Sequence, residues 1–313
     1  MKVLIVGRGS IASQHKKNIE SFGHEAHFLK DTFCGEDNIT ESSVLDFFES
    51  TIDEYEAVII ANASNKHYQY SKIAILNDKK IYLEKPPCLL SDELNDLIDL
   101  CKKKNLDVPV GFQLRFSKGI IKLNEIIQEE KNNIISFDIH VGQDLNQWRK
   151  GGIDKSSYYA NRKSGGGVIY ELCHELDLAL WMFGKPENYI YELANLSNKD
   201  MNIDDFFHSI WKYKNFIGVV HMDMINPVYR RYIEVTISNY KLIWNIENDS
   251  LIRIDSYGNK IIYENKLFQR QDLIQRSMSN FLSWVENGDI WLGSFLEEST
   301  PLLNFFEKVR NGK

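Results

Sequence analysis

Two short stretches of the chain hold residue types that can exchange a proton near neutrality. The first is Glu84-Lys85-Pro86-Pro87. An isolated Lys-Pro reads most simply as a surface lysine in a proline-stiffened loop. Here it directly follows an apolar strand, and a lysine held among apolar walls can have its pKa lowered into the working range. The second runs from Gly165-Gly166-Gly167 through Val168 to Asp177. Three glycines mark close backbone approach or a flexible entry. From Val168 to Phe183 the apolar spacing predicts one helix, ended by Gly184 and Pro186. On it Tyr170, Glu171, His174 and Asp177 share a face by i, i+3 and i+4 spacing. A histidine flanked by carboxylates can be oriented and can relay a proton. A helix face tied to a neighbouring loop by structural hydrogen bonds explains the same spacing equally well. Cys173 beside His174 reads as a packing residue.

A third feature lies at the N-terminus. Gly7-Arg8-Gly9-Ser10-Ile11-Ala12 fits G-x-G-x-x-G/A between an apolar strand and a helix. The first glycine allows a tight turn, the second lets the backbone approach a pyrophosphate, and small Ala12 lets helix and strand pack closely. The helix N-terminus adds unpaired N–H groups facing the phosphates. Candidate dinucleotide contacts are therefore Gly7, Gly9, Ser10, Ile11 and Ala12, with Ala61, Asn62, His67, Glu84 and Lys85 at the ends of later strands. A glycine-rich turn that binds nothing is the competing reading. The end of the second strand chooses the dinucleotide, since a cation suits a 2′-phosphate and an acid the ribose hydroxyls. Lys30 and Asp31 stand there together, so a one-residue shift reverses the answer. Lys30, with Arg8 in support, tilts the reading toward NADP over NAD.

Strands and helices alternate through the first third of the chain. Strands are expected at 2–6, 25–29, 57–61, 80–83 and 108–112, and helices at 11–22, 43–50, 67–76 and 92–104. That alternation calls for a parallel sheet with helices on both faces, and it places the loops after the strands on one ligand-binding edge. After about residue 118 the pattern becomes hairpin-like, with strands at 136–141, 217–224, 232–237, 242–246, 251–255 and 260–263. Gly258-Asn259 supplies turn chemistry between the last two. Helical spacing returns at 272–287 and 296–309. The expected fold is thus an α/β Rossmann domain at 1–118 and an α+β domain with a mostly antiparallel open-faced sheet at 119–313.

Composition narrows the function classes. Among 313 residues, 37 Lys and Arg against 44 Asp and Glu leave a net charge of −7, which argues against a broad nucleic-acid footprint. The basic run Lys102-Lys103-Lys104 reads as a solvated helix end near compensating acids. Cys34, Cys88, Cys101 and Cys173 lack any CxxC or Cys/His ligand spacing, so buried thiols are expected rather than disulfides or a metal site. No apolar run approaches the roughly 20 residues of a membrane span, and no signal peptide is evident, so a cytoplasmic enzyme is expected.

The ordered set of G-x-G-x-x-A, Glu-Lys-Pro after the fourth strand, Gly-Phe-Gln-Leu-Arg-Phe at 111–116 and Gly-Gly-Gly…His-Glu-Leu-Asp…Trp-Met-Phe-Gly resembles the Gfo/Idh/MocA family, the glucose-fructose oxidoreductase and inositol dehydrogenase group. The resemblance runs from the first residues to the final helices. It implies NAD(P)-linked hydride transfer at a carbinol of a sugar, cyclitol or sugar nucleotide, and sheet-mediated homodimers or homotetramers. The lysine that contacts the reacting hydroxyl corresponds to Lys85, the helix histidine to His174, and the acid after it to Asp177. One departure stands out, because many members carry an aspartate four residues before the histidine, where this chain has Tyr170. Glu171 or Tyr170 would take that role.

The segment Trp148-Arg149, then Ser156 to Arg162, is rich in hydroxyl, guanidinium and aromatic groups suited to sugars and phosphates. In the family it borders the substrate, which points to Arg149, Tyr159 and Arg162, with Gln113 and Arg115 also within reach of a ligand. Domain-interface hydrogen bonding accounts equally well for Arg115. The short spacing from the glycines to the histidine is similar to members found in surface-polysaccharide pathways, which suggests a sugar nucleotide or amino sugar. Two other functions compete: a regulator that keeps the cofactor site without catalysis, and a reductase of a non-sugar such as a linear tetrapyrrole. Intact Lys85 and His174 count against the first, and the polar Arg/Tyr/Ser loop against the second.

Overall fold

The computed structural model describes residues 1–29, 40–148, 157–197 and 201–311. Lys30, Asp31, Cys34 and Arg149 lie outside them. The chain forms two compact units, one of Met1–Gln113 with Leu273–Glu307, the other of Leu114–Asp272 with the residues from Lys308 onward. The first change of unit falls close to the expected boundary at 118. The return of Leu273–Glu307 to the first unit is something a single cut in the sequence does not anticipate.

The first unit begins β1 (Lys2–Val6), α1 (Ser10–Ser21), β2 (Glu25–Phe28), α2 (Glu41–Thr51), β3 (Ala57–Ile60), α3 (His67–Leu76), β4 (Lys80–Leu83), α4 (Ser91–Lys104) and β5 (Pro109–Val110). Val3 to Ile5 and Ala57 to Ile60 are completely buried, as runs of apolar residues in a sheet covered on both faces should be. The second unit carries α5 (Lys118–Glu130), β6 (Ile134–Gly142), α6 (Leu145–Trp148), α7 (Val168–Glu171), α8 (His174–Phe183), β7 (Asn188–Ala194), β8 (Phe206–Lys212), β9 (Ile217–Asp223), β10 (Arg230–Ile237), β11 (Tyr240–Asn245), β12 (Ser250–Asp255) and β13 (Gly258–Tyr263). The chain ends with α9 (Gln271–Asn287), β14 (Ser294–Phe295) and α10 (Thr300–Asn311).

The first sheet has the order β14-β5-β4-β3-β1-β2. Its strands from β2 to β5 are parallel, and β14 joins the edge antiparallel to β5. Strand order reverses between β1 and β3, and the crevice beyond the carboxyl ends at such a reversal is where open α/β sheets bind ligands. At the C-terminal end of α4 two of the three lysines meet acids, with Lys104 3.1 Å from Asp78 and Lys102 3.7 Å from Glu297.

The second sheet has the order β13-β12-β11-β10-β6-β9-β8-β7 and is antiparallel except for the β6–β9 pair. Phe137, Ile139 and Val141 of β6 point to the buried face, where Phe137 stacks on Phe183 of α8 with ring centres 3.9 Å apart. Asp138 and His140 alternate to the opposite face. Buried Asp249 ties α5 to this sheet, accepting from the Ser117 hydroxyl, from Gly119 N at 3.2 Å and from Trp244 Nε1 at 3.0 Å.

Several expectations need correction. The strands β7, β8 and β14 were not anticipated. In β8, Phe206 and Ile210 lie on the face opposite buried Phe207 and Trp211, so apolar residues on both faces blur the two-residue alternation. The strand expected at 108–112 shrinks to Pro109–Val110, because the chain already turns at Phe112, whose N–H donates to Val110 O at 2.8 Å. Gly258 and Asn259 pair within β13 and the hairpin turns at Ser256-Tyr257, with Asp255 opposite Gly258. The single helix expected over Val168–Phe183 is two, α7 and α8, interrupted at Leu172 where φ is −107° and ψ 27°. Every residue from Gly165 to Cys173 is buried, so a straight amphipathic helix would have no solvent side here.

Candidate functional site

The glycine loop is shaped for close approach. Gly7 has φ +122°, and a Cβ there would stand 2.3 Å from Ala61 O and 2.8 Å from Asn62 N, so any side chain would push the β1 and β3 loops apart. Gly9 precedes α1 with open space where its side chain would be, leaving the N–H groups of Ser10 and Ile11 approachable at the helix start. Ala12 is fully buried against the sheet. These residues fit a dinucleotide pyrophosphate by the room they leave and by the donors they present.

Lys85 follows β4, the neighbour of β3, and is half-buried. Its peptide bond to Pro86 is cis. Glu84 before it is buried and accepts three hydrogen bonds. Oε1 takes His15 Nε2 and Gln113 Nε2, both at 2.7 Å, and Oε2 takes Lys85 N at 3.3 Å. Gln113 thus directs its amide nitrogen to Glu84, where a substrate contact was expected. His67, expected at the cofactor, is enclosed beneath the loops, with Nδ1 2.8 Å from Pro86 O and Nε2 3.2 Å from Asn62 O. Burial lowers its pKa below the usual histidine value, opposed in part by these carbonyls. A neutral imidazole has one N–H, and the shorter contact assigns it to Pro86. His67, at the start of α3, therefore anchors the Lys85 loop through Pro86 O.

The second half of the predicted site lies in the second unit. His174 opens α8 and is half-buried, while Tyr170 and Glu171 are buried on α7. The break at Leu172–Cys173 means that the expected i, i+3 and i+4 register does not link the two helices. Cys173 is fully buried, as expected of a packing residue. Asp177 forms a two-pronged pair with Arg115, receiving Nε at 3.0 Å and Nη2 at 2.7 Å, and the guanidinium lies 4.9 Å from the Trp181 ring. For Asp177 a substrate contact was the expectation, and for Arg115 a substrate contact or a structural hydrogen bond; here they are engaged with each other. Glu175 pairs with Arg231 at 2.7 Å. Burial opposes the Arg231 charge, and Glu175 with Tyr229 more than restores it, so its pKa is raised.

Around α7, Gly165 and Gly167 take the left-handed region with φ +93° and +109°, and Gly166 serves close packing. A Cβ on Gly166 would meet Tyr159 O at 2.3 Å, and Val168 N donates to Asp204 O at 2.8 Å. Asp204 pairs with Arg162 and, at 3.1 Å, with Arg310, whose guanidinium lies 4.6 Å from the Tyr170 ring. Burial raises the Tyr170 pKa and Arg310 only partly offsets it, which keeps the phenol protonated. Arg162 is half-exposed but committed to Asp204, and Tyr159 is buried in the turn before the glycines. Sequence reasoning missed His15, Asp204, Arg231 and Arg310. His15 carried a usable signal, since it lies on the α1 face that packs against the sheet. Arg231 and Arg310 carried none, being distant in the chain from the acids they meet.

Comparison with known proteins follows the same two-part division. Residues 1–112 match the model of an oxidoreductase family with an NAD-binding Rossmann fold, and residues 120–242 match the GFO/IDH/MocA C-terminal domain. The chain belongs to the GFO/IDH/MocA family. It is similar to an oxidoreductase of Formosa agariphila, 27% identical over 243 residues, covering 75% of this chain and 74% of the relative. Glucose-6-phosphate 3-dehydrogenase of Bacillus subtilis is 24% identical over 246 residues, covering 70% and 67%. Four further relatives match over 38–50% of their own length. An inositol dehydrogenase homologue from Azotobacter vinelandii, solved with NAD+, shares the fold at TM-score 0.78 and 14% identity, covering 98% of this chain and 94% of that one. UDP-N-acetylglucosamine 3-dehydrogenase from Acidithiobacillus ferrooxidans does so at 0.76 and 14%, covering 99% and 97%. This GFO/IDH/MocA protein is therefore an oxidoreductase with an NAD-binding Rossmann domain and a largely antiparallel second sheet. Among its described residues no helix is long and apolar enough to cross a membrane.

Proposed function

We propose that this protein interconverts a secondary hydroxyl and a ketone on a sugar-type substrate, a sugar nucleotide or amino sugar being the narrower reading. One observation carries it: buried His67, which follows the β3 loop that walls Gly7, donates to Pro86 O next to Lys85, so the cradle and the lysine are held together within one unit. A nicotinamide bound at Gly7–Ala12 supplies or accepts the hydride. Lys85 gives its proton to the ketone oxygen in reduction and takes the hydroxyl proton in oxidation. His174 is the second proton-transfer group of this reading, with Glu171 as its carboxylate partner in preference to Tyr170, which burial makes a weaker acid. Arg149, Tyr159 and Arg162 face the substrate in this reading, with Arg162 released from Asp204 when an anionic group binds.

The dinucleotide reading keeps its tilt to NADP through Lys30 and Arg8, with NAD the alternative. Lys30→Ala that leaves the ratio of NADP to NAD affinity unchanged would clear Lys30 of this role. A homodimer or homotetramer is proposed with it, consistent with exposed Ile190 and Ile210 paired across β7 and β8, and sedimentation velocity reads it directly. The central test is a hydride-transfer screen of sugars, cyclitols and sugar nucleotides, preceded by titration of NADPH and NADH fluorescence. Failure of both dinucleotides to bind would sink the oxidoreductase role. Binding without turnover across the panel would sink the sugar substrate.

A further inference from the structure

Apart from the residues already placed, the second sheet carries a row of rings on the face opposite α8. Tyr232, His140, His221 and His208 are direct cross-strand neighbours on β10, β6, β9 and β8. Asp223 follows His221 by two residues and so points to the same face. His140 is stacked between Tyr232, at 5.0 Å and 9°, and His221, at 4.5 Å and 18°. We propose that His140, His221 and Asp223 bind a divalent late transition-metal ion, zinc being the one this donor set fits best.

Three observations carry this. One donor atom from each residue lies within 4.8 Å of the other two. Tetrahedral zinc with bonds of about 2.0–2.1 Å sets its donors about 3.3 Å apart, so side-chain rotation must close the widest gap by about 1.5 Å. His140 Nε2 is buried and has no hydrogen-bond partner among the described residues, a cost that a metal bond removes. Asp223 is buried and Oδ1 accepts from Ile225 N at 3.1 Å, which orients Oδ2 toward His221 Nε2 at 3.0 Å.

The surrounding groups match what a ligating histidine needs. A metal-bound imidazole uses its second nitrogen as a donor to a fixed acceptor. His221 Nδ1 lies 3.3 Å from His208 Nδ1. Without metal, the His221 Nε2 proton goes to Asp223 and His208 donates to His221 Nδ1. With metal on Nε2, His221 donates from Nδ1 to His208, which carries its own proton on Nε2. The exchange needs only two tautomer shifts and no net proton release. Two imidazoles and one carboxylate leave a fourth position for water, the arrangement of an open zinc site. Tyr232 gives its hydroxyl proton to Asp138 at 3.0 Å, which keeps that second carboxylate engaged elsewhere.

The test uses the full chain stripped with a chelator, then titrated with zinc against a chromophoric competitor and with cobalt(II) for its visible absorption. One equivalent of zinc and a tetrahedral cobalt band are expected. His140→Ala and Asp223→Ala should each abolish the band, and His208→Ala should weaken zinc binding by about 10–100-fold. His140→Gln keeps the ring-sized volume, and circular dichroism shows that each variant is folded. No zinc uptake at micromolar concentration, or uptake and a cobalt band unchanged in folded His140→Gln, would overturn the proposal.

Discussion

The Glu84 cluster of the first unit and the α7–α8 region of the second are both built around buried carboxylates, yet they solve the problem of burying charge differently. Glu84 is met by no arginine, and its donors are the His15 ring, the Gln113 amide and a backbone N–H. Asp177 and Glu175 are each met by an arginine, Arg115 and Arg231, brought from other elements. A carboxylate held by several single hydrogen bonds is fixed in orientation beside the loop that follows it. One paired with a guanidinium is cancelled in place and acts as an anchor. Hence the acids next to His174 in sequence hold α8 down, while Glu84, one residue from Lys85, positions the loop proposed to carry the proton transfer.

The sharpest way to break this contrast is at the two proposed proton-transfer groups. Lys85→Ala is expected to lower the hydride-transfer rate about 10²–10⁴-fold with dinucleotide affinity kept, and His174→Gln to do the same. Stopped-flow reduction read at the nicotinamide band checks both, and a normal rate in either variant removes that residue from the reaction.

Stability should separate the carboxylates next. Asp177→Ala removes the two-pronged carboxylate from buried Arg115, and is expected to cost about 3–5 kcal/mol by urea unfolding. Glu84→Gln keeps an acceptor for His15 and Gln113 and should cost only about 1–2 kcal/mol. Equal losses would erase the distinction between anchor and positioning acid.

A smaller effect concerns His67. Its pKa is lowered in the folded protein, so below about pH 6.5 the unfolded chain binds the extra proton more readily. The stability it contributes is complete above that pH and is lost as pH falls through the folded value. His67→Gln should flatten the acid side of a Tm-against-pH curve, and an unchanged curve would show that His67 is not buried neutral. Smallest of all, Tyr170→Phe should change kcat by less than about threefold, because burial raises its pKa and makes it a poor proton donor. A loss approaching that of His174→Gln would return Tyr170 to the role of acid.

Much of the first unit was legible in the chain. Val3 to Val6 and Ala57 to Ile60 are apolar without interruption, which only a strand covered on both faces explains, and Gly7 and Ala12 sit where the turn and the packing require them. The second unit was less so. The edge strand β7 buries none of its seven residues fully, so it has no apolar face to read. The helix break at Leu172 also left no mark, because its neighbours are helix-compatible and the break answers to burial on every side.

By itself the sequence determined the glycine cradle, the strand–helix alternation and the placing of Lys85 at a strand end, since each follows from local sterics and periodicity. Only the tertiary structure decided what the charged groups do. Whether Asp177, Glu175 or Gln113 meets a ligand or another side chain depends on residues far away in the chain, Arg115, Arg231 and Glu84, and burial makes that pairing compulsory once the elements pack. The same holds for the histidines of β6 and β9, whose approach to Asp223 exists only because those two strands run side by side.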